Sequence, residues 1–191
     1  LRGSMSKKDN VVAQRQFRQD RGVEPSWALG KRLDLVLQQC EMDKIDVMGI
    51  QEARWWSTRK WKYGVYVICT SASTAKGDHG CMLLVNSSRP WVKIGHEKVF
   101  VGIDVISILH AGPRVLIVHL HTRCVSVFVL VVHAPRENST DTQPLAFWPY
   151  LRSLIHKFVV ATAKMRMCMD ANVTINTAMR GHVGQIVNQK K

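Results

Sequence analysis

The sequence predicts an α+β protein whose strands pair into largely antiparallel or mixed sheets. Three observations lead there. At least seven short runs rich in β-branched and aromatic residues recur along the chain. Only two stretches carry apolar residues at the three-to-four spacing of a helix face. Most of the β-type runs follow one another with no helical stretch between them, which excludes a regular alternation of strand and helix. A length of 191 residues with 46% hydrophobic content suffices for one sizeable core and is short for two. A single domain is therefore expected over residues 5–191. The opening Leu1-Arg2-Gly3-Ser4 before Met5 reads as a scar or non-native start and is set aside.

Residues 5–30 are polar and basic, broken by Gly22, Pro25 and Gly30, with only a strand fragment around Val11-Val12. From Lys31 the pattern changes. Leu33, Val36, Leu37 and Cys40 recur at helical spacing among Asp, Gln and Glu, which predicts an amphipathic helix ending near Met42-Asp43. Ile45 to Ile50 is short and β-branched, a buried strand that leads directly into Gln51-Glu52. Val65 to Cys69 and Gly80 to Val85 predict a strand pair separated by a loop ending Lys76-Gly77-Asp78-His79. Ile103 to Leu109, Val115 to Leu120 and Val125 to Val132 predict a further run of strands, with turns at Gly112-Pro113 and Thr122-Arg123. After a polar loop, Pro144 to Lys157 predicts a second helix, with Phe147, Trp148, Leu151, Leu154, Ile155 and Phe158 on one face. Met165 to Met169 is a last strand, closed by Asp170.

Lys and Arg number 27 against 14 Asp and Glu, a net charge of +13. That excess favours polyanions, because each neutralised phosphate releases counterions, and nucleic acid is the expected partner. The five cysteines, Cys40, Cys69, Cys81, Cys124 and Cys168, are odd in number and show neither a CxxC pair nor zinc-knuckle spacing. They point to a reducing intracellular compartment. The longest apolar stretch, Val125 to Val132, is interrupted by Ser126 and falls far short of a membrane span. His79, His96, His110, His119, His121, His156 and His182 have no HExxH-type spacing and are read as surface or structural.

Two carboxylates sit at strand ends. Glu52 follows the strand at 45–50, and Asp170, with Asn172 two residues on, closes the strand at 165–169. Oxygen ligands at converging strand ends suit a hard cation such as magnesium, which water and phosphate oxygens then complete. The bland alternative is turn chemistry, since Asp and Asn side chains bond nearby backbone. Just beyond Glu52, Trp55, Trp56 and Trp61 are interleaved with Arg54, Lys60 and Lys62, a composition that can stack bases and neutralise phosphates, while Trp55 suits a core plug equally well.

Taken together, these segments resemble endonuclease/exonuclease/phosphatase domains of the deoxyribonuclease I-like kind, closest to the endonucleases of non-LTR retrotransposons. Ile45-Asp46-Val47-Met48-Gly49-Ile50-Gln51-Glu52-Ala53-Arg54-Trp55 is similar to that family's "DVIGLQETRW" strand. Gly80 to Val85 is similar to "GVGILV", Pro113 to Val118 to "PRLLVV", Val132-His133-Ala134-Pro135 to "VYAP", and Cys168-Met169-Asp170-Ala171-Asn172 to "GDFNA". The five motifs are collinear between Lys31 and Gly184.

The resemblance implies a two-sheet β-sandwich flanked by helices, with a site where strand ends of both sheets meet. It implies a metal-dependent phosphodiesterase, an endonuclease acting on DNA in the nucleus, with Mg2+ as cofactor and Mn2+ as its substitute. Glu52 takes the metal-binding role, Asp170 orients the attacking water, and Asn172 contacts the scissile phosphate. His133 stands where the family has an aromatic hydroxyl and can still donate a hydrogen bond. Arg54, Trp55, Trp56, Lys60 and Arg114 are the expected nucleic-acid contacts. Two features depart from the family. Its early metal-binding asparagine has only Asn10 or Gln14 as substitutes, and its closing Ser-Asp-His segment, with the general-base histidine, does not occur before Lys191. A truncated domain, weak or inactive in cleavage, is thus expected, with exposed sheet edges open to self-association. The alternatives are a basic nucleic-acid-binding module that keeps the fold without the chemistry, and a structural α/β domain with no nucleic-acid role.

Overall fold

The structure, a computed structural model, describes residues 27–135, 144–160 and 164–170. The strand expected around Val11-Val12, the substitutes Asn10 and Gln14, and Asn172 lie outside the described residues. Among those described, helix α1 (Trp27–Met42) is followed by nine strands, β1 (Val47–Ile50), β2 (Arg59–Tyr63), β3 (Tyr66–Thr70), β4 (Met82–Asn86), β5 (Val92–Ile94), β6 (Glu97–Val99), β7 (Ile106–Ala111), β8 (Val115–His121) and β9 (Ser126–His133). Helix α2 (Pro144–Phe158) and strand β10 (Lys164–Asp170) complete the order. Helix α1 begins four residues before the expected Lys31 start. It ends as expected, with Lys44 left-handed at φ 56° and the Ile45 N–H reaching back to the Cys40 carbonyl at 2.8 Å.

Two four-stranded sheets form, in the orders β1-β4-β3-β2 and β10-β9-β8-β7, beside a small β5-β6 hairpin. Every pairing is antiparallel except β9 with β10, which is parallel. The mixed sheets expected from the run of consecutive strands are present. Alternate residues of the first sheet, Val67, Cys69, Leu83 and Val85, meet Leu116, Val118, Leu120, Val129 and Val131 of the second in one buried layer. Their neighbours point the other way. Tyr66, Ile68, Met82 and Leu84 pack against Leu33, Leu37 and Cys40 of α1, while Val115, Ile117, Leu130 and Val132 pack against Phe147, Leu151 and Leu154 of α2. The result is a two-sheet sandwich covered by a helix on each outer face, as the sequence leads one to expect. It explains why β3, β4 and β8 read as continuous apolar runs without alternation: each is buried on both faces.

Three strands, β2 and the two of the β5-β6 hairpin, are not evident in the sequence. In β2, Lys60 and Lys62 are exposed while Arg59, Trp61 and Tyr63 are half-buried, a period of two masked by its charge. A two-residue turn with Gly64 at φ 59° then joins β2 to β3. The second omission is the β5-β6 hairpin, turned at Gly95 with φ 60°. The strand expected from Ile103 starts instead as a 3-10 turn at Ile103–Val105. Trp148, expected on the buried helix face, is 38% exposed. All five cysteines are free thiols, and among the described residues no helix is long and apolar enough to cross a membrane.

Candidate functional site

Among the described residues, strand directions gather four loops at one end of the sandwich. Strands β1, β3 and β9 run towards it, β4 and β8 start from it, and β10 arrives there parallel to β9. The two sheets are tied at this end by side chain and backbone. The Gln51 amide donates to the Cys168 carbonyl at 3.0 Å, and the Gly80 N–H donates to the Pro113 carbonyl at 2.7 Å. Gly49 permits the approach, since a Cβ there would lie 2.4 Å from Cys168 Cβ and 3.2 Å from Val131 Cγ2.

The loop after β1 carries Glu52 and Arg54 in left-handed conformations, φ 53° and 51°, and His79 in the facing loop has φ 64°. Such conformations persist in non-glycine residues only where surrounding structure over-determines them. Here that structure is a backbone clasp: the Ala53 N–H donates to the Gly80 carbonyl at 2.9 Å and the Arg54 N–H to the His79 carbonyl at 2.8 Å. On the other sheet, the His133 N–H donates to the Arg114 carbonyl at 2.8 Å, and β9–β10 register sets Asp170 beside His133. The Ala134 N–H donates to the Asp170 carbonyl at 2.9 Å.

These constraints bring Glu52, His79 and His133 together, each offering one ligand atom, all within 4.8 Å of one another. His133 Nε2 lies 3.8 Å from Glu52 Oε1, and Arg54 Nη2 lies 3.7 Å from Glu52 Oε2. The two imidazole rings meet edge to face at 5.4 Å. Arg114 Nη2 stands 3.1 Å from His79 Nε2. A guanidinium only donates, so His79 Nε2 accepts and its proton sits on Nδ1. That Nδ1 is buried with no hydrogen-bond partner. Burial, then the Arg114 charge, then His133 hold the His79 pKa below its ordinary 6.5, which leaves the ring neutral near pH 7. Beside the cluster opens a cavity of about 680 Å³, lined by Lys76, His79, Pro113, Arg114, Phe147 and Tyr150 among others.

Of the residues singled out in the sequence, Glu52 and His133 are thus in the cluster, Asp170 is their neighbour on β10, and Arg54 and Arg114 flank them. Asn172 is outside the described residues. Trp55 requires a correction. It is 1% exposed, stacked on Trp56 at 4.7 Å and on Trp61 at 5.2 Å, and belongs to the core under α1, so it offers no ring to a base. Trp56, 39% exposed, is the outward member of that stack. The Lys60 ammonium donates to the carbonyls of Ile103, at 2.8 Å, and Ile106, which anchors the 3-10 turn to β2. His79 was read from sequence as surface or structural. The only local signal was its place in a Gly-flanked loop, Gly77-Asp78-His79-Gly80.

No protein-family model matches the chain, and no curated protein does. Among solved structures, a truncated Caenorhabditis elegans TDP2 aligns over 78% of this chain and 58% of its own, with 16% identity and a TM-score of 0.43. A second Caenorhabditis elegans TDP2 structure aligns over 78% and 45%, with 16% identity and a TM-score of 0.46. This chain therefore spans only about half the length of those proteins.

Proposed function

We propose that this chain is a nucleic-acid phosphodiesterase domain, an endonuclease acting on DNA and of retrotransposon origin, working in the nucleus and slow in cleavage as the chain stands. The observation that supports it is the gathering of Glu52, His79 and His133, with Arg54 and Arg114 beside them, at one loop end of a chain with net charge +13. In this reading Arg54 and Arg114 neutralise the phosphate flanking the scissile bond. His133 donates to a non-bridging oxygen, and Asp170 orients water for in-line attack. The adjoining cavity, with Phe147 and Tyr150 in its wall, gives room for a neighbouring nucleotide.

Magnesium, which the resemblance implies with manganese as substitute, is a poor match for the side chains around Glu52. A hard cation prefers oxygen ligands, and among the described residues Glu52 is the only carboxylate in a cluster whose other two members are imidazoles, with two guanidiniums nearby. Turnover in magnesium is therefore expected to be slow. Lys164 and Arg166 lie exposed on the terminal strand of the second sheet, so their charges oppose edge pairing with a second copy. The non-catalytic alternative is favoured by one observation, the engagement of Arg114 with His79 rather than with open solvent.

Plasmid nicking by the full chain beside Asp170→Ala, with DNA affinity measured across salt, tests the reading. Binding should weaken steeply from low to physiological salt. Slow nicking lost in Asp170→Ala supports the phosphodiesterase. Salt-dependent binding with no nicking in any divalent ion supports the binding module, and salt-independent binding overturns both.

A further inference from the structure

We propose that Glu52, His79 and His133 form a three-ligand site for a borderline transition-metal ion of the zinc and cobalt(II) class, and that the ion displaces Arg114 from His79. The inference stands on donor chemistry and geometry and does not depend on the phosphodiesterase reading.

Two imidazoles and one carboxylate are a donor set that zinc takes, with a fourth position open to water. Tetrahedral ligands at zinc bond lengths sit roughly 3.4 Å apart. The His133 Nε2 to Glu52 Oε1 separation is 3.8 Å and all three donor atoms lie within 4.8 Å, so closing on an ion needs only small side-chain movement. Backbone holds the ligands in place. His133 ends a buried strand, and His79 and Glu52 sit on loops clasped through Ala53, Arg54 and Gly80. Preorganised ligands lose little conformational freedom on binding, which strengthens the site.

Arg114 sets the second half of the inference. A neutral imidazole has one lone pair, and in this structure that of His79 accepts from Arg114 at 3.1 Å. An ion bound at His79 Nε2 takes the lone pair that Arg114 uses, and an ion bound at Nδ1 moves the ring proton to Nε2, where it faces a donor it cannot accept from. Ion and guanidinium therefore compete for one group. The displaced Arg114 already lines the adjoining cavity, so ion binding turns a guanidinium towards the space where an anionic ligand would lie.

The rival location for a bound ion is β8, where the rings of His119 and His121 lie 5.2 Å apart at the end of an inner strand of the second sheet, and His119 Nε2 is 2.9 Å from Ser126 Oγ. Two imidazoles without a carboxylate make a weaker, unsaturated site.

The test is titration of the metal-stripped full chain with Zn2+ by calorimetry and with Co2+ by visible absorption, with Mg2+ in large excess as competitor. His79→Asn is the main variant because asparagine tolerates the left-handed backbone at φ 64°. One equivalent should bind, the cobalt bands should have the high intensity of a site with fewer than six ligands, and magnesium should not displace it. Affinity should fall about tenfold or more in His79→Asn, rise in Arg114→Gln, and stay unchanged in His121→Ala. Affinity unaltered in a folded His79→Asn, or lost in His121→Ala, overturns the site. A weak hydrated-cobalt spectrum or displacement by magnesium does so too, and weaker binding by Arg114→Gln overturns the competition. A chain that binds zinc as described yet nicks no DNA keeps this inference and sinks the phosphodiesterase reading.

Discussion

In the middle of the sandwich, Leu83, Val85, Leu116, Val118 and Val131 are fully buried between two sheets whose backbone groups are paired in register. At the loop end of the same strands, three non-glycine residues hold left-handed backbone, a buried ring nitrogen of His79 has no partner, and two guanidiniums crowd one carboxylate and one imidazole. The middle is shaped by non-directional burial, and every local choice there agrees with the fold. The loop end carries strain and like charge that the middle must offset, a distribution characteristic of functional sites.

The largest effect should come from the middle. Leu83→Ala is expected to cost about 2–5 kcal/mol in chemical denaturation, since it opens a cavity between two sheets. Glu52→Gln, at a side chain 45% exposed, should cost far less. Equal losses would break the contrast between the two regions.

Gly49 lies where the regions meet, and the next effect belongs there. A methyl at this position must push Cys168 and Val131 away, at about 1–3 kcal/mol. Because Gln51 and Glu52 follow at once, Gly49→Ala should also weaken ion binding at the loop end. Unchanged stability and unchanged zinc affinity together would show that the close approach of the sheets does not position Glu52.

The smallest effect, and of opposite sign, is expected for Arg54→Gly. Relief of the left-handed backbone at φ 51° should stabilise the fold by about 0.5–1 kcal/mol. Loss of the pair with Glu52 offsets little of that, because both side chains are largely exposed, at 60% and 45%. DNA binding should weaken in the same variant, with a shallower salt dependence. A drop in thermal midpoint would remove strain as a property of the loop end.

Much of the architecture was legible in the chain itself. Both helices follow from the spacing of Leu33, Leu37 and Cys40 and of Phe147, Leu151 and Leu154, and the double-sided burial of β3, β4 and β8 follows from their unbroken apolar runs. Strand β2 escaped because Lys60 and Lys62 gave its solvent face the look of a binding patch, and for Trp55 the sequence left core plug and base contact equally open until burial put it in the core. In the candidate site, Glu52, His133 and Asp170 were legible as residues at strand ends, whereas His79 was not.

The sequence by itself determined which segments become strands and helices and which of their faces are apolar, because periodicity is a local property that a few consecutive residues express. Only the tertiary structure decided that the loops at 51–55, 78–81, 112–114 and 133–135 share one end. That follows from the orders β1-β4-β3-β2 and β10-β9-β8-β7, which are set by pairing between segments far apart in the chain. His79 gains Glu52, Arg114 and His133 as neighbours through those pairings alone, and no spacing within the sequence encodes their meeting.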